Sequence, residues 1–188
     1  MDSTRRRFLL LSPFAVGGLA MLATRIKGRT TEALPSSDNA DHFTLIEFDD
    51  HGAKLGAVMA IRIVQTDDDW AARLTPQQFY VTRRAQTDPP FSGTYFHLHE
   101  PGLYRCICCG TALFSSDAKY DSGTGWPSFR APVALENVRR EEGSSLESGI
   151  EVFCRSCDAH LGHIFDDGPA PAHLRYCINE SSLKFMAT

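Results

Sequence analysis

Residues 105–110 read Arg-Cys-Ile-Cys-Cys-Gly, and residues 153–158 read Phe-Cys-Arg-Ser-Cys-Asp. Each stretch contains a C-x-x-C pair, and two such pairs complete a tetrahedral four-sulfur zinc site when each pair sits in a tight turn. The predicted ligands are Cys106, Cys109, Cys154 and Cys157. The 44 residues between the pairs exceed the spacing of about 15 to 20 that is usual in zinc fingers. The sequence therefore predicts one structural zinc ion that clamps two distant parts of a larger domain.

Disulfide bonds are the alternative for these four cysteines, because oxidising compartments favour them. A thioredoxin-like redox role is not favoured, since neither C-x-x-C pair lies at the strand-to-helix junction of a βαβ unit. Of the six cysteines, Cys108 and Cys177 remain outside the predicted zinc site. These two thiols are the candidates for redox chemistry.

The pattern around the cysteines is that of an antiparallel β protein. Short apolar or aromatic runs alternate with clusters of Gly, Pro, Asp and Ser, and they occupy residues 103–105, 112–114, 151–153, 174–178 and 183–185. Thr75 followed by Pro76 is typical of a helix N-cap and first turn. We therefore predict a mainly β domain with few helices.

The N-terminus carries the pattern of an export signal. Residues 4–10 read Thr-Arg-Arg-Arg-Phe-Leu-Leu, which places paired arginines directly before an apolar run, as in twin-arginine signals. Residues 1–23 are therefore predicted to be a signal peptide, and the mature protein to be periplasmic or otherwise extracytoplasmic. An uncleaved signal acting as a membrane anchor is the alternative.

Two further segments precede the predicted catalytic domain, residues 67–188. Residues 24–41 are polar and contain Pro, Gly and Ser, which indicates a linker. Residues 42–66 contain two apolar, β-branched runs on either side of Asp50-His51-Gly52, which predicts a β-hairpin extension.

Composition limits the number of domains and the class of partner. A chain of 188 residues with 43% hydrophobic residues forms one domain with its own core plus short extensions. Its formal net charge of -4 offers no basic face to nucleic acid. We therefore expect no nucleic-acid partner.

The stretch Leu174-Arg175-Tyr176-Cys177-Ile178-Asn179 presents a reactive thiol. In a strand, Leu174, Tyr176 and Ile178 face one side, and Arg175, Cys177 and Asn179 face the other. A neighbouring arginine favours the thiolate form of cysteine, which is the nucleophile. A buried structural cysteine beside a surface arginine is the alternative interpretation.

Two other segments offer groups that suit a thiol enzyme. His160 and His163 follow the second C-x-x-C pair, and histidine is the side chain that ordinarily transfers protons near neutral pH. The two imidazoles would lie on opposite faces of a regular strand, so their convergence predicts a turn at Gly162. Trp126, between Gly125 and Pro127, either plugs the core or forms a pocket wall that contacts a methyl group.

With these residues in view, the chain resembles the methionine-R-sulfoxide reductase B family across roughly residues 68–185. The resemblance rests on Trp70, Leu74-Thr75-Pro76, Thr87-Asp88-Pro89-Pro90-Phe91, Gly102-Leu103-Tyr104-Arg105-Cys106, Leu113-Phe114-Ser115-Ser116, residues 119–129 (Lys-Tyr-Asp-Ser-Gly-Thr-Gly-Trp-Pro-Ser-Phe), His160-Leu161-Gly162-His163-Ile164-Phe165 and Arg175-Tyr176-Cys177-Ile178-Asn179. It implies two small antiparallel sheets with a few short N-terminal helices and a structural zinc site.

The resemblance also implies how the enzyme works. Cys177 attacks the sulfoxide sulfur, methionine leaves, and the resulting sulfenic acid is reduced by an external thiol such as a thioredoxin-like protein. The implied substrate is oxidised methionine in proteins, so the implied function is repair of oxidised exported proteins. We expect the protein to be a monomer. The residues implied to assist Cys177 are His160, His163 and Asn179 in catalysis, and Trp126, Arg175, Asp167 and Phe129 in substrate binding.

Two positions depart from the family pattern. Asp88 stands where the family usually has Glu, which predicts a mild change. Thr124 stands where many members carry a resolving cysteine, so Cys177 is recycled either by an external thiol acting directly, which we expect, or through Cys108, the one internal thiol outside the predicted zinc site. The rival to a reductase is a zinc-ribbon-like binding module without turnover, in which Cys177 is dispensable.

Overall fold

The structure is a computed structural model that describes residues 42–141 and 149–188. Its strands pair in antiparallel fashion. These residues fall within one compact unit, Ser37–Thr188. The predicted signal peptide, residues 1–23, and the predicted linker, residues 24–41, lie outside the described residues.

Eleven strands and two short α-helices make up the described chain. They are β1 (His42–Phe48), β2 (Lys54–Ile61), α1 (Asp67–Ala71), α2 (Pro76–Arg84), β3 (Gly102–Cys106), β4 (Ala112–Ser115), β5 (Lys119–Tyr120), β6 (Ser128–Phe129), β7 (Val138–Arg140), β8 (Ile150–Cys154), β9 (His160–Phe165), β10 (Arg175–Ile178) and β11 (Leu183–Ala187). Single 3₁₀ turns occupy Ser116–Ala118, Leu135–Asn137 and Glu180–Ser182. The mainly β prediction is confirmed.

The strands form three antiparallel sheets. A six-stranded sheet has the order β5-β6-β10-β9-β8-β7, and a three-stranded sheet has the order β11-β3-β4. The hairpin β1-β2 forms its own sheet, and Asn137 ties it to the rest by accepting from the Ile46 amide and donating to the Ile46 carbonyl. In the six-stranded sheet, β10 lies between β6 and β9, so the strand that carries Cys177 is central.

The two larger sheets share one aromatic core. Tyr104 and Phe114 from the three-stranded sheet contact Phe129 from β6, with ring centroids 5.0 and 4.5 Å apart, respectively. Phe129 is fully buried. The prediction that Phe129 binds substrate is therefore corrected: its ring stabilises the core, where burial of such a side chain contributes about 1.5–3 kcal/mol.

The helix predicted at Thr75 is present as α2. Thr75 accepts from the Gln78 amide through its hydroxyl, and the Gln78 side chain accepts from the Thr75 amide, which forms a capping box. Among the described residues, no helix has the length and apolar character needed to cross a bilayer.

Candidate active site and metal centre

The four predicted zinc ligands converge on one point between two turns. Their Sγ atoms all lie within 4.8 Å of one another. The Cys106 and Cys157 Sγ atoms are 3.7 Å apart, and those of Cys109 and Cys154 are 3.6 Å apart. A Zn–S bond of about 2.3 Å gives a tetrahedron with edges of about 3.8 Å. The observed distances therefore fit a shared metal ion and are much longer than a disulfide bond.

Each C-x-x-C pair is held in a turn by backbone hydrogen bonds. In the first turn, the Gly110 amide donates to the Cys106 carbonyl at 2.8 Å. In the second, the Asp158 amide donates to the Cys154 carbonyl at 3.0 Å. Since the first turn follows β3 and the second follows β8, the metal centre joins the three-stranded sheet to the six-stranded sheet.

Cys177 lies at a separate cavity of about 280 Å³. The residues that line this cavity are Thr87, Thr124, Trp126, Gly162, His163, Phe165, Arg175, Cys177 and Asn179. Five of them belong to the predicted site: Cys177, His163, Asn179, Trp126 and Arg175. Strand register explains part of this convergence, because Cys177 on β10 pairs directly with His163 on β9, and paired residues project to the same face.

Trp126 is held at the cavity by its loop. Its indole Nε1 donates to the carbonyl of Asp88 at 2.8 Å. The preceding Gly125 has φ of 86°, and a Cβ there would lie 2.8 Å from the Phe91 amide nitrogen. Only glycine fits this conformation and this close approach. The loop therefore fixes an apolar indole face next to Cys177.

The two histidines converge through a β-bulge instead of the predicted turn. Both lie within β9, where Val152 pairs with Gly162 but Phe153 pairs with His160, so β9 has one extra residue at this point. An extra residue reverses the side-chain alternation. His160 and His163 therefore share a face, with ring centroids 5.4 Å apart.

His160 and His163 occupy different depths. His163 lines the cavity, whereas His160 is 1% exposed and packs behind it against Phe153. Burial and the neighbouring His163 lower the pKa of His160 to about 4, and burial lowers the pKa of His163 as well. Both imidazoles are thus neutral at pH 7, so His163 offers the cavity one N–H donor and one acceptor nitrogen, and not an imidazolium.

The guanidinium of Arg175 forms an ion pair with Asp167, so Cys177 is not the only group that its positive charge affects. Its Nε and Nη2 atoms donate to the two Asp167 carboxylate oxygens at 2.7 and 2.8 Å. Among the described residues, Asp167 is not one of those that line the cavity, and it orients Arg175 from outside the cavity.

The thiolate predicted for Cys177 is not favoured in the free protein. Burial raises the pKa of the Cys177 thiol, and the opposing effects of Arg175 and the Thr124 hydroxyl do not cancel it. The prediction from sequence considered the positive charge of Arg175 but not the desolvation of Cys177, which is the larger effect. Burial therefore favours the protonated thiol of Cys177 at neutral pH.

Asp88 and Glu151 contact or pair with residues that line the cavity, which their sequence positions did not indicate. The Asp88 amide donates to the Asn179 side chain at 2.9 Å, and its carbonyl accepts from Trp126, so one residue holds two residues of the cavity. Glu151 pairs with His163 across β8 and β9. Asp88 belongs to a motif quoted from the sequence, but its partners are about 40 and 90 residues away along the chain.

Cys108 lies in the first metal-binding turn and is 2% exposed. Its thiol is therefore enclosed within the core, apart from the cavity that holds Cys177.

Comparison with known proteins identifies the family. Residues 74–187 match the model of the SelR domain. The chain is 50% identical over 131 residues to the peptide methionine sulfoxide reductase MsrB of Herminiimonas arsenicoxydans, which covers 69% of this chain and 96% of that protein. It is 55% identical over 120 residues to the MsrB of Pseudomonas aeruginosa strain UCBPP-PA14, covering 63% of this chain and 91% of that protein. The chain therefore belongs to the MsrB family and is a peptide-methionine sulfoxide reductase.

Proposed function

We propose that this chain reduces the R epimer of methionine sulfoxide in oxidised proteins, with Cys177 as nucleophile and a sulfenic acid as intermediate. The observation that carries the proposal is the placement of Cys177 between an apolar wall, Trp126, and a polar side formed by His163 and Asn179. Methionine sulfoxide has matching parts, because a methyl group and a polar S=O group share one sulfur. The preference for the R epimer comes from the family resemblance.

The chemical balance of the first step needs no outside proton. The Cys177 sulfur attacks the sulfoxide sulfur, the S–O bond breaks, and the oxygen ends on Cys177 as the sulfenic acid while methionine leaves. The thiol proton ends on the transferred oxygen. His163 and Asn179 offer N–H donors on the polar side of the cavity, which stabilise the charge that develops on oxygen.

Recycling then consumes two external thiols. The first attacks the sulfenic acid, which releases water and forms a mixed disulfide with Cys177, and the second releases the Cys177 thiol. Thr124 stands at the cavity where many family members carry a resolving cysteine, and Cys108 is enclosed in the metal-binding turn. The external thiol, for example of a thioredoxin-like protein, therefore acts on Cys177 directly.

Zinc is the proposed occupant of the four-thiol centre. Four thiolates at tetrahedral distances suit Zn²⁺ and leave no open coordination position for substrate. The ion would stabilise the fold and take no part in the reaction.

The decisive test supplies both sulfoxide epimers of a blocked methionine together with dithiothreitol. We expect consumption of the R epimer alone, loss of activity in Cys177→Ser, and retained activity in the matched variant Cys108→Ala. Consumption of the S epimer would overturn the proposed specificity. Absence of turnover would favour the rival, a zinc-ribbon-like binding module in which Cys177 is dispensable.

We also propose that the protein acts outside the cytoplasm after twin-arginine export, and that an uncleaved signal would leave it anchored to the membrane. The support is the Thr4–Leu10 motif alone. Replacing Arg5 and Arg6 with lysine should retain the protein in the cytoplasm, whereas Arg7→Lys is the matched control. Export that is unaffected by the double replacement would contradict the proposal.

A further inference from the structure

One cluster of metal-binding side chains lies outside the four-thiol centre. A carboxylate oxygen of Glu151 and a ring nitrogen from each of His160 and His163 lie within 4.8 Å of one another. We call these three residues the Glu–His–His cluster. The bulge in β9 creates it, because without the extra residue His160 would face away from His163, and Glu151 lies directly opposite His163 on β8.

His160 gives an independent sign that the cluster holds a ligand. Its side chain is 1% exposed, and neither Nδ1 nor Nε2 has a hydrogen-bond partner of normal geometry among the described residues; the Val81 backbone lies close enough to the ring to raise the pKa of His160, but less than burial lowers it. A buried polar group without a partner is rare and costly in folded proteins, and a bound ion or water is a common reason for it. Since His163 is 5.4 Å away between ring centroids, an occupant between the rings would satisfy His160.

The types of ligand atom in the cluster indicate which ion would bind there. Two neutral imidazoles and one carboxylate are the ligands of open zinc sites in proteins, which keep a fourth position for another group. Bonds of about 2.0–2.2 Å require donor atoms somewhat closer than 4.8 Å, a change within reach of small side-chain rotations. His163 and Glu151 are each only half-buried, so an ion has access from the solvent side.

We propose that the Glu–His–His cluster binds a second divalent transition-metal ion, Zn²⁺ being the best match, and that the bound ion inhibits the enzyme. His163 is both a donor of the cluster and part of the cavity wall beside Cys177. A metal ion on one ring nitrogen of His163 would hold the imidazole toward the cluster and place a positive charge next to the thiol. The binding half stands on the cluster alone, whereas the inhibitory half rests on the proposed function.

The binding test uses the zinc-loaded protein with Cys177→Ser, so that the catalytic thiol is not a ligand. Calorimetric titration with Zn²⁺ should show one further equivalent bound, and Glu151→Gln should weaken that binding at least about tenfold, since it loses the anionic ligand. Glu47→Gln, which alters an exposed carboxylate on β1, is the matched control and should bind normally. His163→Gln is a second variant in case Glu151→Gln does not fold.

A cobalt titration identifies where the ion goes. Co²⁺ added to the zinc-loaded Cys177→Ser protein should bind without a sulfur-to-metal charge-transfer band, because the cluster contains no sulfur. Appearance of that band would show displacement of zinc from the four-thiol centre and would overturn the proposal. The proposal would also be overturned if no further equivalent of metal bound at about 1 mM, because water would then be the occupant of the cluster. Equal binding of the metal by Glu151→Gln would overturn it too.

Inhibition is measured by single turnover, because added thiols would chelate the ion. With one extra equivalent of Zn²⁺, methionine formation by the enzyme with its Cys177 intact should slow at least about tenfold, and Glu151→Gln should resist the effect. Inhibition that is equal in both proteins would refute the inhibitory half. An enzyme that never forms methionine, even without extra metal, would refute the proposed function and leave the binding result standing.

Discussion

Replacement of Asp88 tests how the cavity is held in shape. The Asp88 carboxylate is 6% exposed and accepts three hydrogen bonds, from Gln77 Nε2 at 2.9 Å, the Ser181 amide at 2.8 Å and the Ser181 hydroxyl at 2.7 Å. Its backbone binds Trp126 and Asn179. Asp88 therefore links α2, the Trp126 loop and the end of β10.

The magnitude follows from the donors that Asp88→Ala would leave behind. A hydrogen bond to a charged group contributes about 1.5–3 kcal/mol, and the Gln77 and Ser181 side chains recover part of this by turning to water. The Ser181 amide is fixed and recovers less. We expect a loss of about 3 kcal/mol in the free energy of unfolding, which lowers Tm by about 10 °C. Loosening of Trp126 and Asn179 should reduce kcat/KM about tenfold, equivalent to about 1.4 kcal/mol.

Calorimetry and steady-state reduction of a blocked methionine sulfoxide measure the two effects. Fluorescence in a Trp70→Phe background reports on Trp126 alone, since the chain has only two tryptophans, and it should change in the Asp88 variant. Asp88→Glu should restore much of both losses, because it keeps the charge, and Asp117→Ala is a control at another acidic residue. A Tm within about 2 °C of the parent, with unchanged kcat/KM and fluorescence, would refute the reasoning.

Three further predictions concern the sulfur chemistry. Removal of the metal with a chelator should unfold or disorder the protein, seen as loss of circular dichroism, because the ligands are tied together through the ion; a fully folded metal-free protein would contradict this. Alkylation of Cys177 in the zinc-loaded protein should become faster with rising pH up to and beyond pH 9, since burial raises the pKa of this thiol and the reactive thiolate forms only above it. A plateau near pH 7 would show the opposite shift. After one equivalent of methionine-R-sulfoxide without reductant, one thiol should be lost and a sulfenic-acid trap should label Cys177, whereas loss of two thiols with a Cys108–Cys177 bond would show an internal resolving cysteine.

Local patterns predicted the elements well because local forces determine them. The capping residues at Thr75 predicted α2, and the alternation around Cys177 placed Arg175, Cys177 and Asn179 together, all three of which line the cavity. The cysteine spacing likewise predicted four thiols that do converge. In each case, the structure is determined by residues that are close in the sequence or by the number and spacing of the cysteines.

Features that depend on contacts between distant segments were not predictable in this way. The bulge in β9 is defined by the register of its partner β8, so His160 and His163 alone gave no sign of it. The family resemblance implied that Phe129 binds substrate, but packing against Phe114 places its ring in the core. The pKa of Cys177 reflects burial, which only the assembled fold determines.

The electrostatics of the cavity suit a neutral substrate. Asp167 balances the charge of Arg175, burial keeps His163 neutral, and burial keeps the proton on Cys177. A sulfoxide is dipolar but uncharged, so its entry into such a cavity leaves no charge without a partner in a region of low dielectric. In the proposed reaction, the thiol that keeps its proton also supplies the one proton that the transferred oxygen requires. In this proposal, charge develops only during the oxygen transfer. The N–H groups of His163 and Asn179 and the Arg175 guanidinium then stabilise that charge. Because they stabilise the transition state more than the resting state, they lower the activation barrier.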